Sequence, residues 1–201
     1  MVYSGEIGAL GLSDFWDSLT DSEQQLIKKY RASALSTGSA DTLLTGSVWT
    51  SQTPARFLEG YASWAISEKQ YDLAEKLLLK AVSYRDDPVD THFVYNHLIE
   101  LYYKQRDTKE YALQKAKEYC RMDIELFPTY VNPLIDRVYV LPRCPSFQQL
   151  AIIYEKEGDY ESAIQICELA IKYHLKDTTK GGFKARLSKL QGKLEKIATS
   201  K

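Results

Sequence analysis

Residues suited to acid–base catalysis are few in this sequence, and their surroundings do not favour catalysis. Glu100 and Glu155 are the only carboxylates that we consider as a pair. A general acid needs neighbours that raise its pKa, and a general base needs a reacting group within reach. The sequence near these two residues offers no such neighbour and no nucleophile. We therefore expect a protein that is not an enzyme.

Cysteine and histidine are the usual protein ligands of zinc, and neither is spaced for a metal site here. The three cysteines are far apart and form no CxxC pair: Cys120, Cys144 and Cys167. His92 and His97 are five residues apart, which places them off a common face of a helix. The glycine-rich motifs that bind phosphates are absent as well. We predict neither a metal nor a cofactor.

The most motif-like segment is residues 177–186, in which basic residues flank a pair of glycines. A glycine turn at the start of a helix presents backbone N–H groups to an anion. Lys180 and Arg186 would add positive charge there, so both are candidate anion-binding residues. The favoured alternative is an ordinary glycine turn followed by a helix.

The charged residues are distributed unevenly, although the chain of 201 residues has a formal net charge of only −1. Residues 172–201 contain nine basic and two acidic residues, whereas residues 1–60 contain four basic and seven acidic ones. A basic segment of this kind is suited to contact nucleic acid. It lacks the interleaved aromatic residues that base stacking requires. A solvated capping helix is the favoured interpretation, and nucleic-acid binding is the alternative.

The sequence contains no segment that would carry the chain into or across a membrane. No apolar run approaches the roughly 20 residues that span a bilayer. The first residues lack the basic region and the apolar stretch of a secretory signal. The cysteines are widely spaced and odd in number, which suits reduced thiols. We expect a cytoplasmic protein without a membrane partner.

The elements that would position these side chains are helices arranged in pairs. In residues 145–170, apolar residues recur at helical spacing on both sides of a turn at Gly158-Asp159. The first stripe is Phe147, Leu150, Ala151 and Tyr154, and the second is Tyr160, Ala163, Ile164, Cys167 and Ala170. This segment resembles a tetratricopeptide repeat (TPR), a helix–turn–helix in which a large residue, Leu, a small residue and Tyr mark the first helix.

Two similar helix pairs precede this one. The first has its turn at Lys69-Gln70 and ends at Pro88, and the second has its turn at Arg106-Asp107 and ends at Phe127-Pro128. Three stacked pairs are enough for a continuous core. We therefore predict an all-α fold, a right-handed α-solenoid of about three TPR-like helix pairs with N-terminal helices and a C-terminal capping helix.

The first part of the chain reads as an extension of the repeats. Residues 13–35 show helical spacing, with cap signals at Ser13 and Thr20. Residues 36–53 are rich in Ser, Thr and Gly, which predicts an exposed loop. We assign residues 1–53 to an N-terminal helical extension with this loop.

The remainder, residues 54–201, is assigned to the TPR-like repeat domain. Four prolines in residues 128–145 predict that regular helix is broken there, with room for one short helix around 134–140. A final helix, at roughly 183–198, would cover the end of the stack with a polar face.

Longer stretches are similar to a group of small bacterial TPR-like proteins. They are residues 97–107, 141–155 and 179–183, and the similarity covers most of 54–190. It implies a cytosolic, non-enzymatic protein. It implies no particular partner, because repeat scaffolds serve many roles.

In TPR-like proteins the first helix of each pair lines a concave surface. The faces opposite the core stripes carry Arg56, Glu59, Asn96, Glu100, Tyr103, Lys104, Gln148 and Glu155, with Ser63, Ile152 and Lys156 beside them. Such a groove suits an extended peptide or a helix. We therefore expect a protein- or peptide-binding scaffold or regulatory adaptor. The alternatives are ordinary solvent-facing residues at these positions, nucleic-acid binding through residues 172–201, and a self-associating homodimer.

Overall fold

The computed structural model describes residues 3–33, 41–85, 87–139 and 144–199. Within these residues the chain forms eleven helices and no strand, so the predicted all-α class is confirmed. The chain divides into two compact units, Met1–His97 (unit 1) and Leu98–Lys201 (unit 2). The boundary predicted between residues 53 and 54 stays a prediction.

Unit 1 contains six helices and the first part of a seventh, which continues into unit 2. They are α1 (Glu6–Ala9), α2 (Ser13–Asp17), α3 (Asp21–Ser33), α4 (Asp41–Leu44), α5 (Pro54–Ser67), α6 (Tyr71–Val82) and α7 (Pro88–Lys104).

A capping box fixes the start of α3, at the position that the sequence predicts. The backbone N–H of Glu23 donates to Thr20 Oγ1 at 3.4 Å, and the backbone N–H of Thr20 donates to Glu23 Oε2 at 2.9 Å. Lys76 Nζ donates to Glu23 at 2.6 Å, and Lys29 Nζ donates to Glu68 at 2.7 Å. These two ion pairs connect α3 to α6 and to the end of α5.

The prediction of one exposed loop over residues 36–53 is wrong where α4 forms. Leu43 is fully buried, and the backbone N–H of Gly5 donates to the carbonyl of Leu44 at 3.1 Å. Burying one leucine side chain stabilises a fold by about 2 kcal/mol, which offsets the low helix propensity of the surrounding Ser and Thr residues. Residues 36–40 lie outside the described residues, and residues 45–53 are not helical.

The first predicted helix pair is α5 and α6, joined by the turn at Lys69-Gln70. Thr53 caps α5 by accepting from the N–H of Arg56 at 3.1 Å, and Pro54 stands at the start of the helix, where proline is favoured. Lys69 has a left-handed backbone conformation, with φ of 61°. The alanines between the helices are fully buried: Ala62, Ala65, Ala74 and Ala81. Their small side chains allow the close approach that the sequence predicts.

Unit 2 contains the end of α7 and four further helices. They are α8 (Ala112–Val138), α9 (Pro145–Glu157), α10 (Tyr160–Lys172) and α11 (Gly182–Thr199). α9 and α10 form the predicted pair around Gly158, whose φ is 80°. Its core residues are at most 1% exposed: Phe147, Leu150, Ala151, Ala163, Cys167 and Ala170. The predicted C-terminal helix is α11, which packs against α10 and buries Phe183 and Leu190.

The prediction that prolines break regular helix in residues 128–145 is wrong for Pro128 and Pro133, which lie inside α8. A proline inside a helix lacks the N–H that would donate to the carbonyl four residues earlier, and it costs about 3 kcal/mol. Aromatic burial offsets that cost, because the Phe127 ring lies 5.4 Å from Phe147 and 4.7 Å from Tyr173. The short helix predicted around 134–140 is the end of α8, and residue 140 lies outside the described residues.

Two glycine-to-alanine substitutions test these helix assignments, because we expect them to change the free energy of unfolding in opposite directions. Gly158→Ala places a side chain on left-handed backbone, which we expect to lower the free energy of unfolding by about 1 kcal/mol. Gly60→Ala lies inside α5, where no atom of the described residues outside the helix's own backbone is within 4 Å of the added Cβ, and we expect a gain of up to about 1 kcal/mol. Urea unfolding followed by circular dichroism measures both, and shifts of the same sign would contradict the assignments.

Candidate partner-binding surface

In unit 1, the outer face of α5 meets the first part of α7 through two of the predicted groove residues. The Arg56 guanidinium lies 4.7 Å from the centre of the Phe93 ring, within cation–π distance. Glu59 Oε1 lies 2.9 Å from His97 Nδ1. Spacings of three residues on α5 and four on α7 keep each set on one helix face.

Asn96 lies beside this contact on α7 and is half-buried. Its Nδ2 lies 3.0 Å from Nε2 of His92, one helical turn earlier. His92 is only 1% exposed, so Asn96 is held at the edge of the core. The structure therefore places Arg56, Glu59 and Asn96 on neighbouring faces of two helices in unit 1.

Arg56 supplies the positive charge of this surface. It is exposed, and no carboxylate of the described residues lies within 4.0 Å of its guanidinium. The Phe93 ring supports the flat guanidinium without neutralising it. A guanidinium held in this way is suited to donate two parallel hydrogen bonds to a carboxylate.

In unit 2, the end of α7 carries Glu100, Tyr103 and Lys104. Glu100 and Lys104 form an ion pair of 2.7 Å one helical turn apart, with side chains 45% and 44% exposed. An exposed pair of this kind contributes only about 0.3–0.5 kcal/mol. Both groups therefore exchange partners at little energetic cost.

Tyr103 is half-buried between two cations of unit 2. Arg106 Cζ lies 4.2 Å from the centre of its ring, and Lys156 Nζ donates to its hydroxyl at 3.0 Å. Burial by itself raises the pKa of Tyr103, but hydrogen bonds with Lys156 and Gln149 and the positive charges of Lys156 and Arg106 outweigh burial and lower the pKa. This ring connects α7 with α9.

The structure places Gln148 of α9 under the segment that leads to α11. Gln148 is 8% exposed, and its amide exchanges two hydrogen bonds with the Thr178 hydroxyl. Gln148 Nε2 donates to Thr178 Oγ1 at 2.9 Å, and Thr178 Oγ1 donates to Gln148 Oε1 at 3.1 Å. This side chain holds a part of its own unit.

Glu155 of α9 is surrounded by three basic side chains of α11. Its carboxylate lies 2.8 Å from Lys193 Nζ, 3.0 Å from Lys189 Nζ and 3.4 Å from Arg186. Burial by itself raises the pKa of Glu155, but hydrogen bonds from Lys193 and Lys189 outweigh burial and lower the pKa. A carboxylate with a lowered pKa stays ionised and is a poor general acid, which disfavours acid catalysis by the pair of Glu100 and Glu155 considered from the sequence.

Arg186, a candidate anion-binding residue, already contacts two carboxylates. It donates to Asp177 Oδ2 at 2.8 Å as well as lying beside Glu155, and its side chain is only 9% exposed. Although burial raises the pKa of Asp177, the hydrogen bond from Arg186 holds it below its usual value. Lys180 is exposed. Anion binding by Lys180 and Arg186 stays a prediction, and an anion there would compete with both carboxylates for the guanidinium.

The pairing of α11 with Glu155 was not predicted, although its signal is present in the sequence. Arg186, Lys189 and Lys193 are spaced by three and four residues, which places them on one face of a helix. A basic face on one helix commonly packs against an acidic residue of another helix. The identity of the acidic residue is beyond such reasoning, because Glu155 lies 31 to 38 residues away from Arg186 and Lys193.

Two further findings concern metals and membranes. The described residues contain no group of three or more His, Cys, Asp and Glu side chains placed to hold a metal ion. Among the same residues, none of the helices combines the length and the apolar composition that a membrane span requires.

Comparison with known proteins relates the α9–α10 pair to a repeat family. Residues 145–174 match the tetratricopeptide repeat family. An uncharacterized protein of Aquifex aeolicus (strain VF5) is 29% identical over 178 residues, and the match covers 82% of this chain and 82% of that protein. No solved structure matches the chain significantly. The resemblance stated from the sequence is supported in the segment where its motif is most complete.

We expect Glu155→Gln to lower the free energy of unfolding by about 2 kcal/mol at neutral pH, because it leaves three cations around a neutral amide. The folded-state pKa of Glu155 is lowered, so its stabilisation is present above the ordinary value of 4.5 and is lost as the pH falls through the lowered pKa. The variant and the wild type should therefore converge in stability in acid.

Urea unfolding at neutral and acidic pH measures this difference. Glu168→Gln is the matched control, because Glu168 is an exposed carboxylate on α10 and should tolerate the same change at both pH values. Equal stability of Glu155→Gln and wild type at neutral pH would contradict the role assigned to Glu155.

Proposed function

We propose that this TPR-like protein, whose residues 145–174 match a tetratricopeptide repeat, is a non-catalytic scaffold that binds a protein or a peptide. Helical-repeat proteins use extended surfaces of stacked helices for such contacts, which supports a protein partner. A role as a regulatory adaptor in a bacterial cytoplasm is part of the same proposal.

The observation that carries the proposal is the exposed guanidinium of Arg56 on the surface of α5 and α7 in unit 1. Arg56 is exposed there without a carboxylate partner in the described residues, and Glu59 and Asn96 lie beside it. Arg56 offers several N–H donors to a partner, while Glu59 and Asn96 are half-buried beside it and contact His97 and His92. This combination suits a peptide, which presents donors, acceptors and charges together.

The end of α7 in unit 2 supplies a second set of proposed contacts. Glu100 and Lys104 are exposed, and Tyr103 presents a half-buried ring. Gln148 and Glu155 support this surface differently, because they hold Thr178 and the basic face of α11. We propose that Gln148 and Glu155 act by fixing the C-terminal segment and that the partner contacts the residues of α7.

In residues 172–201, fewer cations are available to bind nucleic acid than the number of basic residues indicates. The reason is that Arg186, Lys189 and Lys193 contact Glu155. Binding of the partner should therefore weaken less than about ten-fold between roughly 50 and 200 mM salt, whereas contacts with six to ten phosphates would lose at least about a thousand-fold. Isothermal titration calorimetry at several salt concentrations distinguishes the two outcomes, and the steep loss would favour nucleic acid.

The proposed surface is tested by affinity capture from a lysate of the source cells with quantitative mass spectrometry. Arg56→Ala, Asn96→Ala and Tyr103→Ala should each reduce recovery of a specific partner by about ten-fold or more, the effect of removing one central contact. Lys80→Ala on the outer face of α6 and Lys172→Ala on α10 are controls that should recover wild-type amounts. Equal recovery by wild type and by all three surface variants would overturn the proposal.

A further inference from the structure

A cavity of about 250 Å³ opens on unit 1 between the N-terminal helices and α5. It lies between α5, the first helix of the first predicted pair, and elements outside the predicted pairs, since α1, α3 and the segment before α5 form the other half of its wall. Its volume is below the range of about 300–1,000 Å³ that is usual for drug-sized ligands. The cavity is the size for one large side chain rather than for a cofactor.

Four of the ten residues that line the cavity are aromatic, and Tyr30 and Phe57 among them are buried: Tyr30, Phe57, Tyr61 and Trp64. The Trp64 ring stacks on Tyr30 with centres 6.2 Å apart, and its side chain remains 45% exposed. Burial raises the pKa of Tyr30 and of Tyr61 to about 12, so both rings stay neutral at physiological pH. A half-exposed indole beside neutral phenols is a favourable surface for another aromatic ring.

The charge of the cavity comes from one residue. Glu6 Oε1 and Arg31 lie 2.8 Å apart at the back of the cavity, and both are largely buried, so they neutralise each other. Arg56 lines the cavity as well and has no such carboxylate in the described residues. The unbalanced charge is therefore positive and lies at the side formed by α5.

Gly60 keeps the surface between Arg56 and Trp64 open. These three residues are four positions apart on α5, so they lie along one face of the helix. A glycine inside a helix costs about 1 kcal/mol relative to alanine. No atom lies within 4 Å of the position that a Cβ would occupy, so packing within the described chain does not require this glycine. Because Gly60 has no side chain, space for a ligand group remains beside Trp64.

We propose that this cavity binds an acidic peptide segment through one aromatic side chain, which lies over Gly60 against Trp64 while a neighbouring carboxylate pairs with Arg56. The inference rests on the proposed peptide-binding function and names the chemistry of the partner. The ring-supported guanidinium of Arg56, the half-exposed indole of Trp64 and the open helix surface at Gly60 are all present before the ligand arrives, which reduces the ordering that binding requires.

The probe is an end-blocked heptapeptide with one phenylalanine between two aspartates in a glycine–serine background. Binding is followed by tryptophan emission in a Trp49→Phe protein. Trp49 is 88% exposed and would add background, whereas Trp16 is 1% exposed and is shielded from a ligand, so the change reports on Trp64. We expect a saturable change in emission with this peptide.

Peptide controls test each half of the proposed contact. Replacing the phenylalanine by alanine, or both aspartates by lysine, should weaken binding by about ten-fold or more, since each removes a central contact. Equal binding of the lysine peptide would overturn the charge assignment. Equal binding of the alanine peptide would overturn the aromatic anchor.

Protein variants locate the contact. Gly60→Gln fills the open space, and the same change at Gly192 of α11, where no atom lies within 4 Å of an added Cβ either, is the matched control. Both changes favour helix, so a loss of binding by Gly60→Gln alone cannot come from unfolding. We expect Gly60→Gln and Arg56→Gln to weaken the probe peptide about ten-fold or more and Gly192→Gln to bind like wild type.

The result also separates this inference from the proposed function. A captured partner that depends on Asn96 and Tyr103 but binds Gly60→Gln normally would overturn the cavity assignment and leave the scaffold function intact. Probe binding that is unchanged in Gly60→Gln, or absent at millimolar peptide, would likewise overturn the cavity assignment.

Discussion

The close approach of paired helices at buried alanines determines where the remaining side chains of each pair point. In unit 1 this contact involves Ala62 and Ala74, and in unit 2 it involves Ala151 and Ala163, all fully buried. Larger residues there would strain the packing by about 1–3 kcal/mol. Once this side of α5 faces α6, helical geometry requires that Arg56, Gly60 and Trp64 lie together on another face. The candidate surface is therefore a consequence of core packing.

Ion pairs between α11 and Glu155 organise the C-terminal end of unit 2, and the net charge of the chain gives no sign of them. The segment 172–201 is strongly basic, yet three of its cations are directed at one carboxylate, Glu155. A partly buried carboxylate needs partners, because an ion removed from water without them is destabilised by several kcal/mol. The basic face of α11 satisfies Glu155, and Glu155 reduces the repulsion among those cations. Part of the positive charge that favours nucleic-acid binding on composition alone is thus paired with a carboxylate within unit 2.

Helical periodicity is sufficient to predict the α5–α6 and α9–α10 pairs because it is a local property. The turns at Lys69 and Gly158 and the capping box at Thr20 all follow from residues within a few positions of each other. Local rules failed at Pro128, where the burial of Phe127 against a ring twenty residues away outweighs the missing hydrogen bond. The same limit applies to the site, since spacing indicates which residues share a face but not what lies opposite.

The cavity in unit 1 shows this limit most clearly. Trp64 and Gly60 are both compatible with an ordinary outer helix face. They become part of a candidate binding site only because α3 places Tyr30 against the indole of Trp64. Neutralisation of Arg31 by Glu6 then leaves the charge preference to Arg56 alone. The arrangement therefore favours one well-placed carboxylate next to a ring over a uniformly acidic chain.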